Sequence, residues 1–255
     1  KKLDYLEKTS LKLVGVGQEK FPENYIKCDT KENIFYKEKY YSELTFHYWY
    51  WKNLLPKESE DQWVGFCQKR RYWINNSNID GISKDNINNY LFNEAPTDWL
   101  NYDVIVCKPL SVSGVKKMKL LKRGFKNIIK DPSILYNQNK QNLYLHFDMH
   151  HGYGNLKKAI SELDDTNQKD FELFMQRNTF FNPHIMFISK PKIINKWFEE
   201  LFPWLERCEK RFSFKSLRGY DTERLLAYLS ERYLSYWFKK NYKCKEENWV
   251  QLNNF

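Results

Sequence analysis

Apolar residues recur along the chain in two rhythms. Short runs with strand character stand at residues 11–17 ("LKLVGVG"), at Trp63–Cys67 within "QWVGFCQKRRYW", and at Tyr102–Pro109 ("YDVIVCKP"). A fourth lies in "NPHIMFISKP", bounded by Pro183 and Pro191. Between the runs the spacing turns helical. In "SELTFHYWYWKNLL" Leu44, Tyr48, Trp51 and Leu55 share one face, with Ser42 as the expected N-cap and Pro56 as the stop. "KIINKWFEELFPWLERCEKRF" is amphipathic, with an interruption expected near Pro203. "DTERLLAYLSERYLSYWFKKN" is the strongest helix, capped by Asp221 or Thr222 with Glu223 in its first turn. In "LYLHFDMHHGYGNLKKAISEL" the spacing predicts helix only from about Asn155, which leaves the histidines before it in a loop. The stretch from Asn75 to Asn101, rich in Asn and Asp, predicts loop with a short helix. Short strands alternating with helices predict an α/β fold whose sheet is at least partly parallel.

Length and composition narrow the picture. A chain of 255 residues suffices for one large domain or two modest ones with a sizeable core. Aromatics make up 18% of it, so rings carry burial that Val and Ala usually supply; the same richness suits stacking on sugars, and it also follows from compositional bias. The net charge of +10 attracts nucleic acid, anionic lipid or anionic small molecules. No run of five Lys/Arg occurs, which favours a nucleotide diphosphate or a membrane surface over a polynucleotide. The five cysteines are scattered and form no CxxC pair, which argues against a structural zinc site or a disulfide framework. No apolar run approaches the roughly 20 residues of a membrane-spanning helix. A chain beginning at Lys1 without a signal peptide is expected to be cytoplasmic and cut from a longer protein.

Three stretches carry candidate chemistry. Lys69, Arg70 and Arg71 follow a strand directly, the end at which open α/β sheets bind ligands. Arginine forks match phosphate oxygens, so this pair can neutralise a diphosphate leaving group; the plainer alternative is two surface arginines. "HFDMHHGYGN" places Asp148 beside His150 and His151, as a partial metal site, a general base with its orienting partner, or a polar loop with local hydrogen bonds. No further ligand spacing supports a metal. Asn182 and His184 stand at a strand entrance where a ligand can be touched, and Glu231 and Arg232 are expected, in the first place, to be solvated helix charges.

Taken in order, "NIFYKEKYYSELTFHYWYWKN", "WVGFCQKRRYW", "YDVIVCKP", "NPHIMFISKP…WFEELFPWLERCE" and "RLLAYLSERYLSYWF" resemble a bacterial glycosyltransferase family of capsular-polysaccharide and O-antigen gene clusters, some of them galactofuranosyltransferases. The family pattern runs "DNIS…Y.ELT..YW.WKN", "GL.HYRRY", "YD.I…KP" and a final "SERL" helix, and matches extend from about Asp29 to Phe238. Gln68-Lys69 replaces the family's His-Tyr, and "NIFYK" replaces "NISEK". The resemblance implies a GT-A-like (Rossmann-like) mixed sheet flanked by helices, with a helical C-terminal part, as a single domain over 1–255 that lacks the fold's first strand. It also implies donor contacts at Asp29, Asn33, Glu43, Lys52, Arg70, Arg71 and Asp103, and matches Glu231 and Arg232 to the "SER" motif; these two join His150, His151, Asn182 and His184, singled out by residue type and setting alone, as expected acceptor or donor contacts. Glu43 and Lys52 are expected to face the donor or brace the arginines.

The function implied is inverting transfer from a UDP-sugar, UDP-galactofuranose among them, to a growing glycan or lipid-linked glycan at the inner face of the membrane. Asp148 is the first candidate for the base and Asp221 the second. Cations in place of an Asp-x-Asp favour a site without metal, Mn²⁺ or Mg²⁺ being the weaker alternative. No nucleic-acid partner is expected. A non-catalytic module that binds a nucleotide-sugar or glycan is the rival class.

Overall fold

The computed structural model describes residues 6, 9, 11–76, 78–214 and 217–252. The strands, in chain order, are β1 (Val14–Gly15), β2 (Ile26–Lys27), β3 (Val64–Gly65), β4 (Arg71–Trp73), β5 (Val104–Cys107), β6 (Leu110–Ser111), β7 (Phe180–Phe181), β8 (Phe187–Ser189), β9 (Cys244–Glu247) and β10 (Trp249–Gln251). The helices are α1 (Glu38–Tyr41), α2 (Leu44–Asn53), α3 (Lys117–Arg123), α4 (Phe125–Lys130), α5 (Leu143–His151), α6 (Asn155–Ile160), α7 (Asp165–Arg177), α8 (Pro191–Phe212), α9 (Tyr220–Glu223) and α10 (Leu225–Asn241).

The two most apolar runs form the centre. β5 and β8 are buried along their whole lengths and pair antiparallel, Ile105 opposite Ile188. β3 joins β8 antiparallel and β9 joins β5 parallel, giving a mixed sheet in the order β3-β8-β5-β9. Gly65 is needed in β3, because a Cβ there would lie 2.9 Å from the Ile188 side chain. β10 continues from β9 to pair antiparallel with β4, Gln251 opposite Arg71. The α/β class with a mixed sheet is therefore as the sequence pattern implies, although most strands are very short.

Helices cover the sheet through an aromatic core. α8 sends Trp197, Phe198 and Trp204 inward to meet Phe187 of β8 and Tyr233 and Phe238 of α10. α2 lies against the same cluster, Trp51 stacked on Phe202 at 5.5 Å. Most rings of "YYSELTFHYWYWKN" are thus structural, and their polar tips are satisfied: Trp49 Nε1 donates to Thr30 O and Trp51 Nε1 to Asn195 Oδ1, each at 2.8 Å.

Several expectations are corrected. α8 passes through Pro203 without a break, because its buried stripe from Ile194 to Phe212 is continuous and outweighs the roughly 3 kcal/mol of an interior proline. Ser42 is not an N-cap; its φ is 52°, and its carbonyl rather than its hydroxyl accepts from Thr45. The last helix starts at Tyr220 behind Gly219 and is interrupted at Arg224, so neither Asp221 nor Thr222 caps it. "HFDMHH" is helix rather than loop, nucleated by Asn142, whose Oδ1 accepts from Leu145 N at 2.9 Å.

Phe187 is fully buried where sheet and helices meet, within 5.0 Å of the Phe66 ring and 5.1 Å of Phe238. Phe187→Ala is expected to cost about 3–5 kcal/mol in urea unfolding. Leu173→Ala, at a side chain 42% exposed, should change stability by no more than about 0.5 kcal/mol.

Candidate functional site

The turn after β3 is built around an unusual backbone. Gln68 and Arg71 exchange backbone hydrogen bonds (Arg71 N to Gln68 O, 2.9 Å), which closes a tight turn with Lys69 and Arg70 at its tip. Arg70, the third residue, has φ of 101°, a position glycine fills in type II turns. Leu252 N donates to Arg70 O at 2.8 Å, so the C-terminal strands hold the turn in place.

The turn borders a cleft of about 810 Å³ between β3, the N-terminus of α2, the β1 segment and α9. It is lined by Lys69, Arg70 and Arg71 on the side of the turn and by Ser42, Glu43 and Arg224 on the side of the helices. Gln68 links the two sides: its amide nitrogen donates to Glu43 Oε1, and its oxygen accepts from Arg71 Nη1 at 2.8 Å. Burial raises the Glu43 carboxyl above its usual range, and the neighbouring Glu231 charge adds to that. Arg224 is held by Ser42 Oγ at 3.2 Å and by Glu38 at 3.9 Å.

Behind this floor lies a second polar group. Glu231 Oε1 accepts from the His184 backbone N–H and stands 3.7 Å from His184 Nδ1. Its other oxygen pairs with Arg232, whose guanidinium lies 3.7 Å over the Phe181 ring and reaches His146 Nδ1 at 3.5 Å. Arg71 Nε, His184 Nε2 and Arg232 Nε are buried without a partner among the described residues. His184 has φ of 66°, so that, like Ser42 and Arg70, it is a non-glycine residue with left-handed backbone.

The structure brings together Glu43, Arg70 and Arg71 at the cleft, and His184, Glu231 and Arg232 behind it. It disperses the remaining candidates. Asp148 braces a loop and a helix, accepting from Gly154 N at 3.0 Å and Asn127 Nδ2 at 2.9 Å, and it does not line the cleft. Asp103 lies before β5, at the amino end of the strand, where its carboxylate accepts from Lys243 N. Lys52 sits 3.6 Å over the Trp51 ring, nine residues or about 13 Å along α2 from Glu43, so it cannot brace the arginines. Asn33 starts a local turn, accepting from Phe35 N, and Asp29 is exposed outside the cleft. Asn182 Nδ2 donates to Cys107 O at 2.7 Å, tying two strand ends. His150 donates to His146 O, whereas His151 donates to the carbonyl of Asp221 at 3.0 Å, beside the rim residue Tyr220. Sequence reasoning missed Gln68, Ser42, Arg224 and His146. Gln68 was visible only as a departure from the family's His-Tyr.

The strand end that would hold a divalent metal does not fit one. It presents an amide and three cations, and among the described residues no group of three or more His, Cys, Asp or Glu is placed to hold an ion. No helix among the described residues is long and apolar enough to cross a membrane.

A family model described as Domain of unknown function (DUF4422) matches residues 1–242. No curated protein matches the chain. Among solved structures, the apo form of WbbM, a bifunctional glycosyltransferase, shares the fold with a TM-score of 0.64 at 18% identity. The match covers 90% of this chain, which spans 40% of the length of that neighbour.

Buried histidines make stability depend on pH on the acid side. Burial depresses His47, His151 and His184 to about 3 and His146 to about 2, from 6.5, with Arg71 and Arg232 adding to the effect on His184. The unfolded chain takes up these protons near pH 6.5 and the folded chain only near 3. Stability is therefore full above pH 6.5 and falls as pH drops toward 3. In urea titrations across that range, His47→Leu should flatten the slope by about one proton. An unchanged slope would show that His47 protonates freely in the folded state.

Proposed function

This chain belongs to the family described as Domain of unknown function (DUF4422), and we propose that it is a glycosyltransferase with a GT-A-like fold acting on a UDP-sugar. The observation that carries this is the Gln68–Arg71 turn, which sets three cations at the mouth of a cleft also lined by a half-buried carboxylate. The fold shared with the glycosyltransferase WbbM supports it. The donor diphosphate lies against Lys69, Arg70 and Arg71, which do the work often given to a metal. We propose a growing bacterial surface glycan, of capsule or O-antigen type, as acceptor, and UDP-galactofuranose as the first donor to try.

The transfer is inverting. The acceptor hydroxyl attacks the anomeric carbon and its proton passes to Glu43. The bond from that carbon to the diphosphate oxygen breaks, and its electron pair leaves with the diphosphate. Glu43 displaces Asp148 and Asp221 as our candidate base, because it alone of the three lines the cleft. Burial makes it a stronger base than an exposed glutamate, and the Gln68 amide fixes its orientation. Backing by His184, Glu231 and Arg232 positions the wall behind it.

UDP at about 100 times its Kd stabilises a single-site protein by about 2.7 kcal/mol, a rise in melting temperature of several degrees. The rise is expected without added Mn²⁺ and should vanish in Arg70→Ala/Arg71→Ala. Protection that needs Mn²⁺ and survives the double substitution would move the diphosphate elsewhere. For the chemical step, Glu43→Gln should keep UDP protection and lose about 10²–10⁴-fold in donor turnover. Undiminished turnover in that variant would eliminate Glu43 as the base, and a wild type that binds UDP without any turnover would be a binding module.

A further inference from the structure

The segment from Lys116 to Lys130 is two-faced in a way the cleft does not use. α3 and α4 meet at Gly124, where a Cβ would lie 2.9 Å from the Leu120 carbonyl oxygen, so the two short helices are closely joined. Their inner face, Leu120 and Ile128, packs with Leu145 and Met149 of α5. Their outer face is apolar as well. Met118 is 76% exposed, Phe125 59% and Ile129 64%, with Leu121 beside them. An apolar set this exposed on two consecutive helices goes beyond the scattered surface apolar residues of an ordinary monomer.

Charge identifies what covers it. Lys116, Lys117, Lys119, Lys122, Arg123, Lys126 and Lys130 are all exposed, no acidic residue interrupts them, and none is in an ion pair among the described residues. Exposed Tyr136 and Tyr153 stand at the border, with Lys117 over the first ring and Lys126 and Lys130 over the second. A second copy would bring seven cations against seven. A polynucleotide would take the cations but leave the apolar side chains in water. A bilayer with anionic headgroups takes both, as interfacial amphipathic helices do.

We propose that α3 and α4 are the surface by which this protein rests on an anionic bilayer. Met118, Leu121, Phe125 and Ile129 enter the headgroup–acyl boundary, and the cations lie at the headgroup level with their stems along the apolar face. The buried Asp148 serves this surface: it accepts from Asn127 on α4 and fixes the platform to the turn after α5. α5 is also one step from the cleft, since His151 bonds the Asp221 carbonyl next to Tyr220 on the rim. The proposal extends the glycosyltransferase reading by placing a lipid-linked acceptor beside the site, but the surface itself does not depend on that activity.

Co-sedimentation of the protein with vesicles tests it. Binding is expected to an equal mixture of phosphatidylcholine and phosphatidylglycerol, weakening with salt, and not to phosphatidylcholine alone. Lys117→Gln/Lys122→Gln/Lys126→Gln should weaken partitioning roughly 100-fold, at about fivefold per cation. Phe125→Ser/Ile129→Ser should weaken it by about tenfold or more at unchanged charge. All five side chains are exposed, so melting temperatures and UDP protection should stay at wild-type values, which separates failure here from failure of the donor site. No binding to the mixed vesicles, or equal binding by both variants, overturns the proposal. So does binding that a polynucleotide abolishes while Phe125→Ser/Ile129→Ser leaves it intact, or self-association that this double substitution removes.

Discussion

The polar interior of this molecule depends on one carboxylate. Glu231 stands where α10 meets the loop before β8, and it is the acid that pairs with the buried Arg232 guanidinium. Arg232 in turn lies over Phe181 of β7 and reaches His146 of α5, so the carboxylate ties four segments together. A guanidinium so far from water persists only with a charge partner. Its presence also explains why the surrounding histidines stay neutral: burial first, then the fields of Arg71 and Arg232, exclude a third cation. The expectation that Glu231 and Arg232 are ordinary solvated helix charges misses this because the sequence shows their spacing and not what packs against them.

Sequence spacing located the basic turn, where backbone order alone decides proximity. β3 ends at Gly65, three residues intervene before Lys69, and Arg71 already opens β4, so the cations sit on the short β3–β4 connection, a location that needed little tertiary information. Glu43 was visible through its motif, but its role depends on Gln68 folding back across the turn, a contact between residues 25 apart. The place of Asp148 away from the cleft was hidden for the opposite reason. Its residue type and histidine neighbours suggest chemistry, while its two oxygens are consumed in bracing.

The same limit appears in the fold. "LYLHFDMH" carries Leu143, Leu145, Phe147 and Met149 at every second position, a strand rhythm that concealed α5. The helix has two buried sides instead: Leu143 and Phe147 face the main core, Leu145 and Met149 the small core under α3 and α4. Each side has the i, i+4 spacing of a helix, and together they imitate alternation. β9 and β10 escaped notice because "CKEENWVQ" opens with three consecutive charges after Cys244; β9 is a strand because β5 offers it an edge and parallel pairing. The basic surface was equally hidden. No run of five cations exists in the chain, yet α3 and α4 expose six, and Lys116 just before them makes a seventh.

Backbone strain supplies the last constraint. A glycine at position 70 would adopt φ of 101° without penalty, and a left-handed non-glycine residue costs on the order of 1–3 kcal/mol. Packing does not account for arginine there, since the residue is exposed and makes no ion pair among the described residues. The tether from Leu252 N to its carbonyl keeps the strained turn from relaxing. Ser42, with φ of 52° on the side of the helices, is held in turn by Arg224. Both walls of the cleft therefore stand in conformations that their residue types resist and that distant segments enforce. A cation thus stands at the tip of the turn at the expense of the residue that would fit the backbone best, and the strain is carried by the tether rather than by an ion pair of the side chain.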